Sequence, residues 1–429
     1  MSKLNIIKNI SFLWMGSILG AGLAFLTQVY IARILGPREF GAFSSSLIFI
    51  NILVPLAGFG IPQFWLRVYG SEGKAAVRWL RSSVQLGTIC TIISLIIIIL
   101  WSEIGNHEAD FKKIIYLLTP FLVGQVALEY LTSKLQLEEK YISLITWQLL
   151  PHATRLILIT TTSITMEGNA DISTLGMIYA ATGAVMLLIA TLGIYGMRSH
   201  KFKPAGHHHY LPSPTTQATL KTAAIESAPF ALAGIFHLIY FQGAIIFLKE
   251  ILGSNEAGLY NAAFLIISGV YLFPSAIYQK YMLPKIHRWA NHNQELYLRS
   301  YKVGNIYMLT FGGIFLAITW LLSPSIINTL FGEDFKESIQ ILKYLSLCIP
   351  IRFLATSVGS LLVTHAHMQN KVKIMFATAL TNIALNLALI PEFGIKGALW
   401  ATIICESMLL LGYYIAAKFS VLNNIKTDK

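Results

Sequence analysis

Charged side chains are scarce in this sequence. Lys, Arg, Asp and Glu make up 12% of its 429 residues, whereas hydrophobic residues make up 55%. Soluble proteins are about one quarter charged, so this composition excludes an ordinary cytosolic globule. It equally excludes a disordered chain, which needs low hydrophobicity with high charge. Apolar runs of roughly twenty residues recur instead, the length a helix needs to cross about 30 Å of hydrocarbon. The sequence therefore predicts an all-α polytopic membrane protein.

Aspartate and cysteine are also rare. The three cysteines fall inside apolar runs, without the spacing of a metal site or a disulfide framework. Metal-dependent sugar transfer would use clustered aspartates, but the four aspartates lie outside the apolar runs and far apart. No phosphate-binding loop, nucleophile elbow or zinc motif is present in the sequence. We expect no cofactor and no metal, and we favour a transporter over an enzyme. A membrane glycosyltransferase or polymerase remains the less favoured alternative.

Twelve candidate membrane helices follow from the apolar runs. They lie near 10–34, 40–62, 77–101, 113–135, 143–166, 172–197, 222–248, 257–281, 302–322, 338–364, 372–391 and 396–417. An even number of spans places both termini on one side. With the termini in the cytoplasm, 22 of the 32 Lys and Arg residues lie inside and 8 outside. The positive-inside rule thus predicts cytoplasmic N- and C-termini, and the basic charge reflects orientation instead of binding to nucleic acid.

A ten-residue segment occurs twice. Residues 34–43 read ILGPREFGAF, and residues 251–260, which lie 217 positions later, read ILGSNEAGLY, so that five positions are identical. Both copies fall between the first and second helices of their half, on the outer side. The repeat predicts two six-helix lobes related by a pseudo-twofold axis along the membrane normal, as in parallel-repeat transporters. We place the N-terminal lobe at 1–197, a cytoplasmic linker loop at 198–221 and the C-terminal lobe at 222–429.

Several motifs in chain order resemble those of polysaccharide repeat-unit flippases. These are the Wzx-type proteins of O-antigen and capsule synthesis, within the multidrug/oligosaccharidyl-lipid/polysaccharide exporter superfamily. The motifs are ARILGPREFG at 32–41, Gly58-Phe59-Gly60 with Arg67, the glycine turn at 253–263, Leu283-Pro284, Phe331–Phe335 and the segment from Asn386 to Thr402.

The resemblance implies a fold, a cargo and partners. The fold would be two six-helix lobes around a polar central cavity. The cargo would be an undecaprenyl-pyrophosphate-linked oligosaccharide, moved by alternating access from the cytoplasmic to the periplasmic leaflet of the bacterial inner membrane. Partners would be the lipid bilayer and, in the pathway, a polysaccharide polymerase and chain-length proteins. Many members carry a carboxylate in the seventh helix, where this chain reads Gln242-Gly243-Ala244.

Charged residues inside spans are costly and functional by default. Five are predicted here, namely Glu129, Arg155, Glu226, Arg352 and Glu406. A guanidinium stays charged at any depth and can form bidentate hydrogen bonds with phosphate oxygens. We therefore predict Arg155 and Arg352 as contacts for the pyrophosphate. For Arg155 the alternative is a structural ion pair with Glu129. No acid lies near Arg352 in sequence, and Glu406 is expected to pack against a polar partner.

Other polar residues within spans are secondary candidates. His152 lies one turn before Arg155, and Gln28 lies in the first helix, so both are predicted to contact substrate. Glu129, Glu226 and His237 are predicted for ion coupling. In each case the alternative is structural, as a packing residue, an interfacial group or a hydrogen bond between helices. The same fold would also suit a peptidoglycan lipid precursor or a small drug, but mid-span arginines favour an anionic cargo.

Overall fold

Helices account for the regular structure of the chain. The computed structural model describes residues 3–105, 107, 109–167, 170–198, 202, 218–282, 286, 294–363 and 368–419. Thirteen α-helices fall within these ranges, and no strand does. They are α1 (Lys3–Gly58), α2 (Ile61–Glu72), α3 (Leu80–Ile104), α4 (Ala109–Leu137), α5 (Tyr141–Thr165), α6 (Ile172–Tyr195), α7 (Leu220–Ile251), α8 (Ser254–Ser275), α9 (Gln294–Leu330), α10 (Ser338–Ser346), α11 (Cys348–Gly359), α12 (Met368–Phe393) and α13 (Ile395–Ala417).

The all-α membrane prediction is confirmed. Ten helical stretches in the described part of the chain are long and apolar enough to span a bilayer. The first of them, Met15–Ile104, runs through three of the predicted spans. The number of spans and the pseudo-twofold axis therefore stay predictions. Most of the proposed linker 198–221 lies outside the described residues.

The exposed face of α3 shows why these helices require a lipid environment. Its large side chains are about half exposed at intervals of three or four residues, as in Ile89, Ile92, Ile96 and Ile99. Such a continuous apolar stripe would be unstable in water but suits hydrocarbon. Many hydroxyls within the spans bond their own helix, as when Thr88 Oγ1 donates to the Val84 carbonyl over 2.9 Å. This pattern satisfies polar groups where water is absent.

Glycines mark two breaks that the repeat predicts. Within α1 the backbone leaves the helical region at Gly36, with φ 67° and ψ 175°, directly before Pro37. The equivalent residue of the second copy, Gly253, has φ 120° and ψ 176° just before α8 begins. Positive φ is readily available only to glycine. The two copies of the repeat thus share a backbone turn as well as a sequence.

The described chain divides into two compact units. Unit 1 comprises Met1–Leu35 and Ser46–Ile235, and unit 2 comprises Gly36–Ser45 and Phe236–Lys429. In unit 1, α4 packs along α6, and α5 closes the apolar core with Trp147, whose Nε1 donates to the Leu128 carbonyl over 3.1 Å. In unit 2, α11 packs between α9 and α13. The lobe boundaries that we expect at 197 and 222 stay predictions.

The start of α6 offers a stability test outside the apolar segment. The Asp171 carboxylate accepts the backbone N–H of Thr174 over 2.9 Å and also the Thr174 hydroxyl. These bonds, above all the hydroxyl bond, hold the pKa of Asp171 below its ordinary value. We expect Asp171→Ala to lower the free energy of unfolding by about 1 kcal/mol at pH 7. Thermal unfolding of the detergent-solubilised protein measures the loss.

The pH dependence of this cap has a defined sign. Because the folded pKa lies below the unfolded one, the contribution is present above about pH 4 and is lost as pH falls through the folded pKa. Asp171→Asn is the matched control, since asparagine caps a helix without a charge. We expect it to match the native protein at pH 7 and to lose this pH dependence. An Asp171→Ala protein as stable as Asp171→Asn would contradict the capping role.

Candidate substrate-binding site

A polar cavity of about 230 Å³ lies within unit 1. It is enclosed by α1, α4, α5 and α6, all of them apolar helices that the sequence places in the bilayer. One cationic side chain, three carboxamides and an imidazole line it, and the described lining contains no carboxylate. The lining residues are Ala24, Thr27, Gln28, Leu47, Asn51, Phe121, Gln125, His152, Arg155 and Tyr179.

Arg155 is the charged group of this cavity. Its Nε donates to the Pro151 carbonyl one turn earlier over 2.7 Å, which fixes the base of the guanidinium. The guanidinium carbon lies 5.2 Å from the ring centroid of Phe121 and 4.9 Å from that of Tyr179. Both distances are in the range of cation–π attraction. The aromatic rings and the Nε bond hold the side chain in one orientation.

One nitrogen of the guanidinium, Nη2, is available to a ligand. Arg155 is 6% exposed, and its buried Nη2 makes no hydrogen bond within the described structure. A buried donor without a partner costs free energy, more so when it carries charge. An anionic oxygen entering the cavity would satisfy both the unused donor and the unpaired charge. The site is therefore suited to phosphate or carboxylate oxygens.

Neutral polar groups surround this cation. Gln28 Nε2 donates to the Tyr179 hydroxyl over 3.1 Å and so links α1 to α6. Asn51, Gln125 and His152 complete the polar lining. Carboxamides offer both donors and acceptors, which is the chemistry that sugar hydroxyls need. Three of the four predicted substrate contacts, Gln28, His152 and Arg155, thus lie in one cavity, although their role in binding stays a prediction.

The ion pair that we considered between Glu129 and Arg155 does not form. The described residues provide Arg155 with no carboxylate partner, and Glu129 lies near Gly58 and Tyr130, away from the cavity lining. The predicted depths of Glu129 and Arg155 in the membrane differ by only a few residues, so depth alone would allow the ion pair. The Glu129 carboxylate instead lies beside Gly58, whereas Arg155 lines the cavity. The ion-coupling role of Glu129 stays a prediction.

Arg352, the fourth predicted contact, lies in unit 2 and is paired. Its Nη1 donates to the two carboxylate oxygens of Glu406 over 3.1 and 3.3 Å, and the side chains are only 13% and 5% exposed. The guanidinium carbon also lies 5.0 Å from the centroid of Phe241 and 5.5 Å from that of Tyr271. No acidic residue lies near Arg352 in the sequence, but α13 places Glu406 beside it in the structure. This pairing favours a structural role, and substrate contact by Arg352 stays a prediction.

The two remaining ion-coupling candidates also have partners. His237 Nδ1 lies 2.8 Å from the Tyr240 hydroxyl, and its ring stacks on Phe241 at a centroid distance of 5.4 Å. Glu226 forms an ion pair with Arg67, a residue that sequence reasoning noted only as part of a motif. These contacts are compatible with structural roles, although the ion pair of Glu226 with Arg67 was not among the alternatives we weighed, and coupling by either residue stays a prediction.

Sequence reasoning missed the aromatic pair that holds Arg155. Phe121 and Tyr179 look like ordinary lipid-facing or packing residues in an apolar run. They become recognisable only when α4 and α6 pack together and bring both rings against α5.

Two solved structures of membrane proteins share this fold. The chain superposes on the lipid II flippase MurJ in an inward closed conformation with a TM-score of 0.71, covering 95% of this chain and 87% of that one at 15% identity. It superposes on an inward-facing multidrug resistance MATE family transporter of the MOP superfamily with a TM-score of 0.70. This match covers 95% of this chain and 96% of that one at 13% identity. The chain thus has the fold of MOP-superfamily membrane proteins.

Sequence comparison narrows this class to a family. Residues 6–289, about two thirds of the chain, match the family described as polysaccharide biosynthesis protein, and the chain belongs to that family. An uncharacterized membrane protein of Methanocaldococcus jannaschii is 22% identical over 96% of this chain and 98% of its own length. A Haloferax volcanii protein named probable low-salt glycan biosynthesis flippase Agl15 is 22% identical over 95% of this chain and 83% of its own length.

Proposed function

We propose that this protein is a flippase that moves a lipid-linked oligosaccharide across the membrane by alternating access. The observation that carries the proposal is the cavity of unit 1, in which Arg155 has an unused donor and, among the described residues, no carboxylate partner. Membership in the polysaccharide biosynthesis family and the MOP-superfamily fold support it. The finer proposal is an undecaprenyl-pyrophosphate-linked polysaccharide repeat unit, carried towards the outer leaflet of a bacterial inner membrane.

The cavity fits the physical problem of this cargo. A polyprenyl tail is stable in hydrocarbon, but its phosphate and sugar head is not. Moving a bare ion from water to a medium of low dielectric costs on the order of 20 kcal/mol in an idealised Born estimate. A flippase must replace water around the head while the tail stays in lipid. Arg155 would neutralise phosphate charge, and Gln28, Asn51 and Gln125 would replace water at sugar hydroxyls.

Two cargoes on the same fold differ in how well they suit this site. A cationic drug would be repelled by Arg155, because the described lining offers no carboxylate to receive it. A peptidoglycan lipid precursor carries the same pyrophosphate as a polysaccharide repeat unit, so the Arg155 chemistry does not separate the two. Family membership favours the polysaccharide cargo. The cytoplasmic location of both termini and cooperation with a polymerase and chain-length proteins belong to this proposal.

Complementation tests the cargo. The full chain is expressed in one host lacking its repeat-unit flippase and in another depleted of its lipid II flippase. We expect surface polysaccharide to return in the first host and growth not to be rescued in the second. Rescue of the second host alone would replace the polysaccharide by a peptidoglycan precursor. A membrane-inserted chain that restores neither would contradict a lipid-linked sugar cargo.

A further inference from the structure

The two copies of the internal repeat contact each other within unit 2. A Cβ atom added to Gly41 would meet the Ser254 carbonyl oxygen and come within 2.7 Å of the Gly258 nitrogen. A Cβ atom added to Gly258 would meet the Pro37 carbonyl oxygen and come within 3.0 Å of the Gly41 nitrogen. The 217-residue offset relates Pro37 to Ser254 and Gly41 to Gly258. The contact is therefore reciprocal between equivalent positions.

This contact depends on the absence of side chains. Glycine at both positions lets one helix backbone lie directly against the other, as small residues do between membrane helices. Next to Gly41 in the chain, Phe40 is buried against Phe335, with ring centroids 6.0 Å apart in an edge-on arrangement. The Ser338 hydroxyl donates to the Leu259 carbonyl over 2.8 Å and ties the next turn of α8 to α10. We call the paired segments 37–41 and 254–258 the clasp.

The path of α1 sets the clasp apart from its surroundings. Only Gly36–Ser45 belongs with unit 2, whereas the helix before and after it belongs with unit 1. The segment begins at the break of Gly36, where φ is 67° and ψ is 175°. A turn of this kind at the end of a segment can absorb a change of direction. In the predicted topology both halves of the clasp lie at the outer ends of their helices.

We propose that the clasp is the outer closure of the transport path: it is shut in this structure and separates in each cycle to release cargo outwards. This inference rests on the proposed flippase function. Alternating access needs an outer contact between the two sequence halves that forms and breaks repeatedly. The two backbones contact each other directly at Gly41 and Gly258, which leaves no gap. The contact can reopen because these two glycines have no side chains to interlock. The internal repeat is then retained because each copy is the surface that the other closes against.

A buried hydroxyl provides a reporter that leaves the glycines intact. Ser44 lies one turn after Gly41 and is 2% exposed. Ser44→Cys is nearly isosteric, and the three native cysteines are buried, so the unsubstituted chain gives the background. Cells are treated with a membrane-impermeant maleimide, with and without synthesis of the lipid-linked oligosaccharide. A closed resting state leaves about a tenth or less of the molecules open, so we expect roughly tenfold faster labelling when cargo is supplied.

Alanine substitutions test the glycine contact itself. Gly41→Ala and Gly258→Ala, each combined with Ser44→Cys, place a methyl group against the opposing backbone. We expect fast labelling without cargo and loss of polysaccharide export. The matched controls are Gly22→Ala on α1 and Gly269→Ala on α8, because an added Cβ meets no atom within 4 Å at either position. These controls are expected to label and export like the native protein.

The outcomes separate the clasp from the cargo. Export with the Ser44→Cys thiol protected throughout would overturn the clasp and leave the flippase proposal standing. Equal labelling with and without cargo would also overturn it, since cargo would then not open the contact. If the alanine variants do not fold, the reporter in the native glycine background still decides. Labelling that accelerates while another cargo is moved would support the clasp and contradict the polysaccharide proposal.

Discussion

Arg155→Ala is expected to abolish export of the lipid-linked oligosaccharide while the protein still inserts and folds. The guanidinium would make charge-assisted hydrogen bonds to phosphate oxygens, and losing them costs about 2 kcal/mol, or about thirtyfold in affinity. The loss in transport should be larger, because the cavity would then hold the head group without a counter-charge. Binding of a short-chain polyprenyl pyrophosphate to the purified protein measures the first effect, and surface polysaccharide measures the second.

Two further variants separate charge from geometry at this position. Arg155→Lys keeps the positive charge but loses the two-pronged donor and the flat face that lies against Phe121 and Tyr179. We expect it to bind with intermediate affinity and to transport slowly. Arg155→Met keeps the apolar stem only and should resemble Arg155→Ala in transport. If Arg155→Met is less stable than the native protein but transports normally, Arg155 is a structural residue and its assignment as an anion-binding residue is wrong.

Breaking the Arg352–Glu406 pair is expected to produce the largest loss of stability. The side chains are 13% and 5% exposed, so removing either partner leaves a charge buried without compensation. We expect Glu406→Leu or Arg352→Met alone to lower the free energy of unfolding by about 3–5 kcal/mol. The double variant Arg352→Met with Glu406→Leu should recover most of that loss, because no charge remains in the core. Thermal unfolding of the four proteins forms a double-mutant cycle.

Transport by the double variant tests the other role predicted for Arg352. A structural pair can be replaced by apolar side chains without loss of export. If the double variant is stable but does not export, Arg352 or Glu406 contacts the cargo. If the single variants are each destabilised by less than about 1 kcal/mol and their effects simply add, the two charges are not coupled, and the structural interpretation of the pair fails.

The fold class followed from sequence because its cause is local. Apolar run length alone sets the need for a membrane helix. The sixth span was predicted at 172–197 and lies at Ile172–Tyr195, directly after the Asp171 cap. The repeat was detectable for the same reason, since a turn that requires positive φ restricts its position to glycine in both copies.

The site followed only in part, because its chemistry depends on packing between helices. Arg155, His152 and Gln28 were recognisable as polar residues in apolar runs, and they line one cavity. The partner of Arg352 was not recognisable, because Glu406 lies 54 residues away on another helix. Depth arguments placed Glu129 within reach of Arg155, but depth does not specify which side of a helix a residue occupies. The rotation of each helix is set by its neighbours.

Flipping in reconstituted vesicles tests the central claim most directly. Native protein and Arg155→Ala are each placed in liposomes with a fluorescent polyprenyl-pyrophosphate oligosaccharide, and an impermeant quencher reports how fast the sugar changes leaflet. We predict rapid exchange with the native protein and, with equal amounts of folded Arg155→Ala, exchange no faster than in protein-free liposomes. Equal rates for the native and Arg155→Ala proteins would contradict the assignment of the unit 1 cavity as the site that carries the anionic head group.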